Sequence, residues 1–152
     1  MGKENVKEFI IVAKREGKEK MLPVFVYGTL KPGGVYYRVY CQGRTKAEHK
    51  SWTKGKLYHL PFGYPAMTME EGGGGKVYGY LLYFVHGERE LKNLDLLEGY
   101  TGIKNSPLNE YEREKVMAYD EEIQEWQLAW CYVMKPEKVL SLKGVFIPSG
   151  WW

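Results

Sequence analysis

The feature that most restricts the fold is a short apolar segment that ends abruptly. Residues 24 to 26 read Val-Phe-Val, and the next four residues are Tyr27, Gly28, Thr29 and Leu30. Unbroken apolar character is typical of a strand that is buried on both faces. We therefore expect a central strand, followed by a turn whose backbone N–H groups can bind an anion or a carbonyl oxygen. A tight connection without a binding role is the alternative interpretation.

One helix is predicted in the body of the chain, over residues 87 to 98. Acidic residues follow Gly87 in the first turn, and Gly99 stands where a helix is expected to stop. At 100° per residue, Glu98 shares a stripe with Leu91, Leu94 and Asp95. A carboxylate on the buried side of a helix loses hydration, which raises its pKa and prepares it to act as a general base. The alternative is that Glu98 reaches solvent past the helix end.

The remaining pattern predicts a sheet-rich fold. Aromatic residues make up 15% of the chain and 18 glycines mark many turns, which together favour strands over a helical bundle. Because strands outnumber helices and do not alternate with them, we expect an α+β fold with a mostly antiparallel sheet, which can close into a small β-barrel, and a few flanking helices. The predicted strands lie at residues 51 to 60, at an edge beginning near Pro65, at residues 77 to 85, and as a pair at residues 112 to 119 and 124 to 134.

The two ends of the chain carry separate predictions. Residues 1 to 20 place Val6, Phe9 and Ile10 on one helical stripe, so they predict an amphipathic extension to a single domain at residues 21 to 152. So short a helix needs a packing partner, and a contact within a homodimer is the partner that we expect. The final two tryptophans are too apolar to be left without contacts, so the tail is expected to fold back on the domain.

Composition and charge argue against several classes of function. The formal net charge is +3, which is too small for a typical nucleic-acid-binding domain, and the basic residues between 44 and 56 are interpreted as a solvated strand face. No apolar run could span a membrane, and the first 20 residues alternate charges too often for the apolar region of a signal peptide, so we expect a cytoplasmic protein with no membrane partner. Neither Cys41 nor Cys131 has metal-ligand or redox-pair spacing, and no metal site is predicted.

Six ordered blocks of sequence carry a resemblance to a known family. They read VFVYGTLKPG, GYPAM, VYGYLLYF, LDLLEGY, YEREKV with AWCYV, and IPSGWW. In this order, from about Val24 to Trp151, the chain resembles the γ-glutamylcyclotransferase-like family. The resemblance is to the short bacterial and archaeal branch, which is related to γ-glutamylamine cyclotransferases and to plant avirulence-induced proteins.

The resemblance implies roles for five residues. In the family, the turn that matches Tyr27, Gly28, Thr29 and Leu30 lines a barrel cavity and binds the α-amino-acid end of a γ-glutamyl substrate through backbone groups. The family's catalytic carboxylate falls on Glu98, the same residue that the helical projection places on the apolar stripe. These five residues form the predicted site.

The implied reaction is an acyl transfer within the substrate. The α-amine of a γ-glutamyl amine or γ-glutamyl peptide attacks its own γ-carbonyl carbon, and 5-oxoproline forms as the second amine leaves. No metal and no organic cofactor is expected. The alternative is a non-catalytic barrel that binds a small carboxylate or an amino-acid-like ligand in the same cavity. Tyr111 and Arg113 are expected near the cavity as a core residue and a structural ion pair, outside the predicted site.

Overall fold

The structure, a computed structural model, describes residues 22–69 and 74–152. The amphipathic extension predicted for residues 1 to 20 lies outside the described residues. The elements are, in chain order, β1 (Val24–Val26), α1 (Tyr37–Tyr40), β2 (Thr45–Lys54), β3 (Lys56–His59), β4 (Pro65–Thr68), β5 (Lys76–Phe84), α2 (Gly87–Glu98), β6 (Glu112–Asp120), β7 (Glu125–Val133), α3 (Pro136–Ser141) and β8 (Val145–Phe146).

Five strands close into a barrel, which confirms the predicted fold class. Their order around the barrel is β1-β5-β2-β6-β7, with β7 next to β1. The contact between β1 and β7 is parallel and the other four contacts are antiparallel. Phe25 pairs with Leu81 on one side and Cys131 on the other, and it is 1% exposed. The prediction that residues 24 to 26 form a central buried strand is therefore confirmed.

The single strand predicted at residues 51 to 60 is wrong, because the chain changes sheets within it. Strand β2 belongs to the barrel and ends at Lys54, whereas β3 begins at Lys56 in a separate sheet of order β4-β3-β8. Gly55 lies at the break, where a Cβ atom would stand 2.7 Å from the carbonyl oxygen of Thr68. Apolar and polar residues keep alternating across this glycine, so the period of two conceals the break.

Other expectations about the strands are confirmed. Pro65 begins β4, which lies at the edge of its sheet, where a residue without an N–H is tolerated. The strand pair β6 and β7 is joined by a short turn. The side chains of Lys46, Lys50 and Lys54 on β2 are exposed, in agreement with the interpretation of the basic stretch as a solvated strand face.

The core consists of two clusters that contact different parts of the barrel. One cluster packs α2 and the loops against the barrel wall, and Leu94 of α2 is fully buried within it. The other cluster includes Phe25, Leu81 and Cys131. Both Cys41 and Cys131 are buried free thiols, and burial raises the pKa of each, that of Cys41 to about 12. Neither thiol is therefore prepared for nucleophilic chemistry.

The C-terminal tail folds back on the domain, as predicted. Strand β8 pairs with β3. The Trp151 ring then stacks on Tyr78 at a centroid distance of 5.4 Å and an interplanar angle of 7°. The indole N–H of Trp152 donates to Nδ1 of His59 at 3.0 Å.

Among the described residues, no helix combines the length and the apolar character that crossing a membrane requires.

Gly79 gives a direct test of how the barrel closes. A Cβ atom at this position in β5 would lie 2.0 Å from the carbonyl oxygen of Val26, so β1 and β5 could not keep their spacing. We expect Gly79→Ala to lower the free energy of unfolding by about 1–3 kcal/mol in urea denaturation. In the control Gly74→Ala, the added methyl group meets no atom within 4 Å, and we expect a change below about 0.5 kcal/mol. Equal stability of the two variants would contradict this packing.

Candidate functional site

A cavity of about 240 Å³ lies where β1 ends, and it brings the predicted site residues together. Its lining includes Tyr27, Gly28, Thr29 and Leu30 from the turn after β1, and Glu98 from the end of α2. These two segments are almost 70 residues apart in the chain. The fold therefore places in one cavity the two features that the sequence marked separately.

Gly28 is required at the turn for a reason that the local sequence does not reveal. Its backbone is not in the left-handed region, so an unusual φ angle does not explain the glycine. A Cβ atom at this position would instead lie 2.6 Å from Cγ of Pro65, at the start of β4. The absence of a side chain lets Pro65 pack on the turn, and both residues line the cavity.

The turn provides backbone N–H groups that have no partner within residues 22–69 and 74–152. The carbonyl oxygens of Gly28 and Thr29 accept hydrogen bonds from the N–H groups of Lys31 and Tyr36, each at 3.0 Å. In contrast, no described residue accepts a hydrogen bond from the N–H of Gly28, Thr29 or Leu30. Successive N–H groups of this kind can bind an anion or a polarised carbonyl oxygen.

Glu98 takes its position from the end of helix α2. The helix stops at Gly99, whose φ of 66° is the left-handed conformation of a helix C-cap. The predicted stripe is present, because Leu94 is fully buried, Asp95 binds the core residue Tyr132, and Glu98 lines the cavity. Glu98 is half-buried, so the alternative in which it simply reaches solvent past the helix end is not what the structure has.

The environment of Glu98 favours the protonated carboxyl. Burial is the main cause, and the charge of Glu110 is the second; together they raise the pKa of Glu98 from its ordinary value of 4.5 to about 7. None of the described residues donates a hydrogen bond that would lower this pKa again. A carboxyl that titrates near neutral pH can both accept and return a proton.

Glu110 is a cavity residue that the sequence did not reveal. It lies in the loop before β6, and its Oε1 accepts a hydrogen bond of 2.8 Å from the hydroxyl of Tyr64. Two backbone hydrogen bonds join this loop to the helix end: Glu110 N–H to the carbonyl of Gly99, and Tyr111 N–H to the carbonyl of Glu98. Because the loop has no hydrophobic period, nothing in the local sequence distinguishes Glu110 from a solvated surface acid.

Tyrosine hydroxyls hold the cavity wall together. The hydroxyl of Tyr27 donates to the carbonyl of Tyr132 at 2.7 Å and accepts from the N–H of Met67 at 3.1 Å. The hydroxyl of Tyr111 donates to the carbonyl of Pro65 at 2.7 Å. Burial raises the pKa of both phenols, which therefore stay neutral. Tyr27 thus contributes its ring and its backbone to the cavity, whereas its hydroxyl is occupied.

Arg113 lies outside the cavity lining and forms the expected structural ion pair. Its guanidinium donates to Oδ2 of Asp95 at 2.8 Å, and the hydroxyl of Tyr132 donates to the other carboxylate oxygen at 2.7 Å. The guanidinium also lies over the Trp130 ring, 4.5 Å from its centroid. These contacts orient α2 on the barrel and so help to set the position of Glu98.

The charges of the cavity are all acidic. Among the described lining residues, Glu98 and Glu110 are the ionisable acids, and none of these residues is a lysine, an arginine or a histidine. Nor do residues 22–69 and 74–152 contain a group of three or more His, Cys, Asp or Glu side chains able to hold a metal ion. The cavity thus offers backbone donors for a carbonyl or carboxylate and acidic oxygens for an ammonium group.

Fold and cavity define a class of small barrel domains with a cavity where one barrel strand ends. A family model described as γ-glutamyl cyclotransferase, AIG2-like, matches residues 24–152. The chain therefore belongs to this family. The resemblance inferred from the six sequence blocks is confirmed.

Solved structures with the same fold come from several organisms. The mouse AIG2-like protein is 20% identical with a TM-score of 0.59, covering 87% of this chain and 88% of its own. The Arabidopsis thaliana protein At5g39720.1 is 28% identical with a TM-score of 0.56, covering 76% of this chain and 72% of its own. YkqA of Bacillus subtilis is 21% identical with a TM-score of 0.61; the match covers 86% of this chain but only 39% of YkqA. A search of curated proteins found no match.

The raised pKa of Glu98 predicts a stability penalty at neutral pH. Because the folded protein holds this proton more tightly than the unfolded chain, the penalty begins above about pH 4.5 and is complete above about pH 7. We expect Glu98→Gln to raise the free energy of unfolding at pH 8, by at most about 3 kcal/mol, and to have little effect at pH 4. Denaturation at the two pH values tests this. Glu125→Gln removes an exposed carboxylate and serves as the control, and an equal response of both variants would contradict the prediction.

Proposed function

We propose that this protein is a γ-glutamylcyclotransferase that releases 5-oxoproline from a γ-glutamyl amine or γ-glutamyl peptide. The proposal is carried by one observation: a half-buried carboxyl with a pKa of about 7 shares a small cavity with three backbone N–H groups that have no partner among the described residues. Membership of the γ-glutamyl cyclotransferase, AIG2-like family supports the same reaction class.

Glu98 begins the reaction as a general base. The α-amine of the substrate is protonated at neutral pH and cannot attack a carbonyl carbon until it loses a proton. The ionised carboxylate of Glu98 accepts this proton, and the free amine then attacks its own γ-carbonyl carbon. Because the attack is intramolecular and closes a five-membered ring, the protein mainly has to hold the substrate in a folded conformation.

The turn after β1 stabilises the oxyanion. As the amine attacks, negative charge develops on the γ-carbonyl oxygen. We assign the N–H groups of Gly28, Thr29 and Leu30 as candidate donors to this oxygen or to the α-carboxylate of the substrate, since none of them has a partner among the described residues. Rigid donors are effective here because Pro65 packs directly on the turn.

Glu98 completes the reaction as a general acid. The ammonium of the substrate carries three protons and the product lactam carries one, so two protons must pass to the departing nitrogen, which leaves as an ammonium. The C–N bond to the leaving amine breaks as Glu98 returns the first proton. The second proton comes from the attacking nitrogen and follows the same route. A pKa near neutral suits a group that accepts and donates in turn.

Release of 5-oxoproline from a panel of γ-glutamyl amines, amino acids and peptides tests the proposal. We expect turnover of at least one compound and at least a 100-fold loss of kcat/KM in Glu98→Gln, with Glu125→Gln unchanged. Undiminished turnover in Glu98→Gln would remove Glu98 from its role. No turnover across the panel, together with thermal stabilisation by 5-oxoproline, would contradict the enzyme and support a non-catalytic binding barrel.

The pH dependence of kcat/KM gives an independent test of the base. Glu98 accepts a proton only when it is ionised, so kcat/KM should rise with pH through an apparent pKa of about 7. An ordinary glutamate would instead give a rise near pH 4.3. Stopped assays with one substrate between pH 4 and pH 9 distinguish the two cases, and a profile that is flat above pH 5 would contradict the assignment.

A further inference from the structure

We propose that Glu110 selects substrates whose leaving amine carries a second, positively charged group, and that it discriminates against leaving amines that carry a carboxylate. The inference rests on the proposed function of the same cavity. The proposed function does not specify the leaving amine. Among the substrates that it allows, Glu110 would favour γ-glutamyl derivatives of diamines over γ-glutamyl amino acids and peptides.

The position of Glu110 suits a contact with the leaving group. Glu98 is half-buried, whereas Glu110 is exposed, yet both line the cavity. Glu110 therefore lies nearer to solvent than the carboxyl assigned to the reacting amine. In a substrate whose γ-glutamyl end occupies the turn at Gly28 to Leu30, the leaving amine is the part that extends away from the turn, and we assign it to the more exposed side of the cavity, where Glu110 lies.

The carboxylate of Glu110 is held in place by its neighbours. Its Oε1 accepts from the hydroxyl of Tyr64, and its backbone N–H donates to the carbonyl of Gly99. A Cβ atom at Gly99 would lie 3.0 Å from Cβ and 3.4 Å from Oε2 of Glu110, so the carboxylate occupies space that a side chain would take. A charge with a defined position discriminates between ligands better than one on a free side chain.

The ring of Tyr64, whose hydroxyl donates to Glu110, adds to the attraction for a cation. Tyr36 and Tyr64 both line the cavity, and Phe62 stacks on Tyr64 with a centroid distance of 5.7 Å. The face of an aromatic ring attracts ammonium groups through its quadrupole. An exposed carboxylate bonded to one such tyrosine, in a cavity that Tyr36 also lines, favours a positively charged leaving amine.

No positive charge in the described lining offsets this preference. Lys138 lies close to the loop, but its ammonium donates to the carbonyls of Asn109 and Glu110 and forms no described ion pair with the Glu110 carboxylate. The ammonium of Lys31 donates to the carbonyl of Trp152. A leaving amine with its own carboxylate would therefore meet two acidic groups and no described cation in the cavity wall.

Three substrates of matched length test the inference. The γ-glutamyl derivatives of 1,3-diaminopropane, butylamine and β-alanine have leaving amines that end in an ammonium, a methyl group and a carboxylate. We expect kcat/KM to fall in that order for the full-length protein. The quantity to compare is the ratio of kcat/KM between two substrates. Glu110 also raises the pKa of Glu98, but this effect is the same for all three substrates and therefore cancels in the ratio.

Substitution of Glu110 should remove the preference. We expect Glu110→Gln to reduce the ratio of kcat/KM between the diaminopropane and β-alanine derivatives about tenfold, and Glu110→Lys to reverse it. Glu114→Gln is the matched control, because Glu114 pairs with Lys104 outside the cavity lining, and its ratio should not change. Added salt should lower the ratio of kcat/KM between the diaminopropane and β-alanine derivatives in the unsubstituted protein, because it screens the charge of Glu110. This test needs no variant.

The possible failures are distinguishable. Release of 5-oxoproline at equal kcat/KM from all three substrates would overturn the inference and leave the proposed function intact. A preference that survives in Glu110→Gln would also overturn it. Release from none of the three, nor from any other γ-glutamyl compound, would contradict the proposed function and this inference with it.

Discussion

Strand β1 is only three residues long and pairs with a neighbour on each side, and the site depends on where this pairing stops. Val24 to Val26 close the barrel, antiparallel to β5 and parallel to β7. Immediately after them the backbone leaves the ladder, and the N–H groups of Gly28, Thr29 and Leu30 have no acceptor in the part of the chain that the structure describes. The hydroxyl of Tyr27 then joins β7 to β4, because it donates to the carbonyl of Tyr132 in β7 and accepts from the N–H of Met67 in β4. Barrel closure and the supply of free donors therefore come from the same short segment.

The second requirement is a carboxylate that the fold keeps partly out of water. The apolar stripe of α2 packs on the barrel, and Glu98 continues that stripe to the last residue before Gly99. Burial and the nearby Glu110 both disfavour its ionised form, so the site costs stability at neutral pH. Such a cost is common where a group must exchange protons near pH 7. The contacts of Asp95 with Arg113 and Tyr132 stabilise the same helix and help offset it.

The sequence predicted those parts of the candidate site that lie on a regular element or directly follow one. Glu98 could be placed because an α-helix repeats every 3.6 residues, and residues 24 to 26 because a fully buried strand is uniformly apolar. Glu110 and Tyr64 lie in loops, where side-chain direction follows no period, and only the fold brings them to the cavity. The need for glycine at position 28 was equally hidden, since it arises from Pro65 on another sheet.

A crystal structure of the full-length protein with 5-oxoproline tests the central claim most directly, namely that the turn after β1 and the end of α2 form one site. We expect the lactam in the cavity, with an oxygen within hydrogen-bond distance of an N–H of Gly28, Thr29 or Leu30 and its ring nitrogen within reach of the Glu98 carboxyl. An empty cavity at saturating ligand, or 5-oxoproline bound away from Glu98, would contradict the claim.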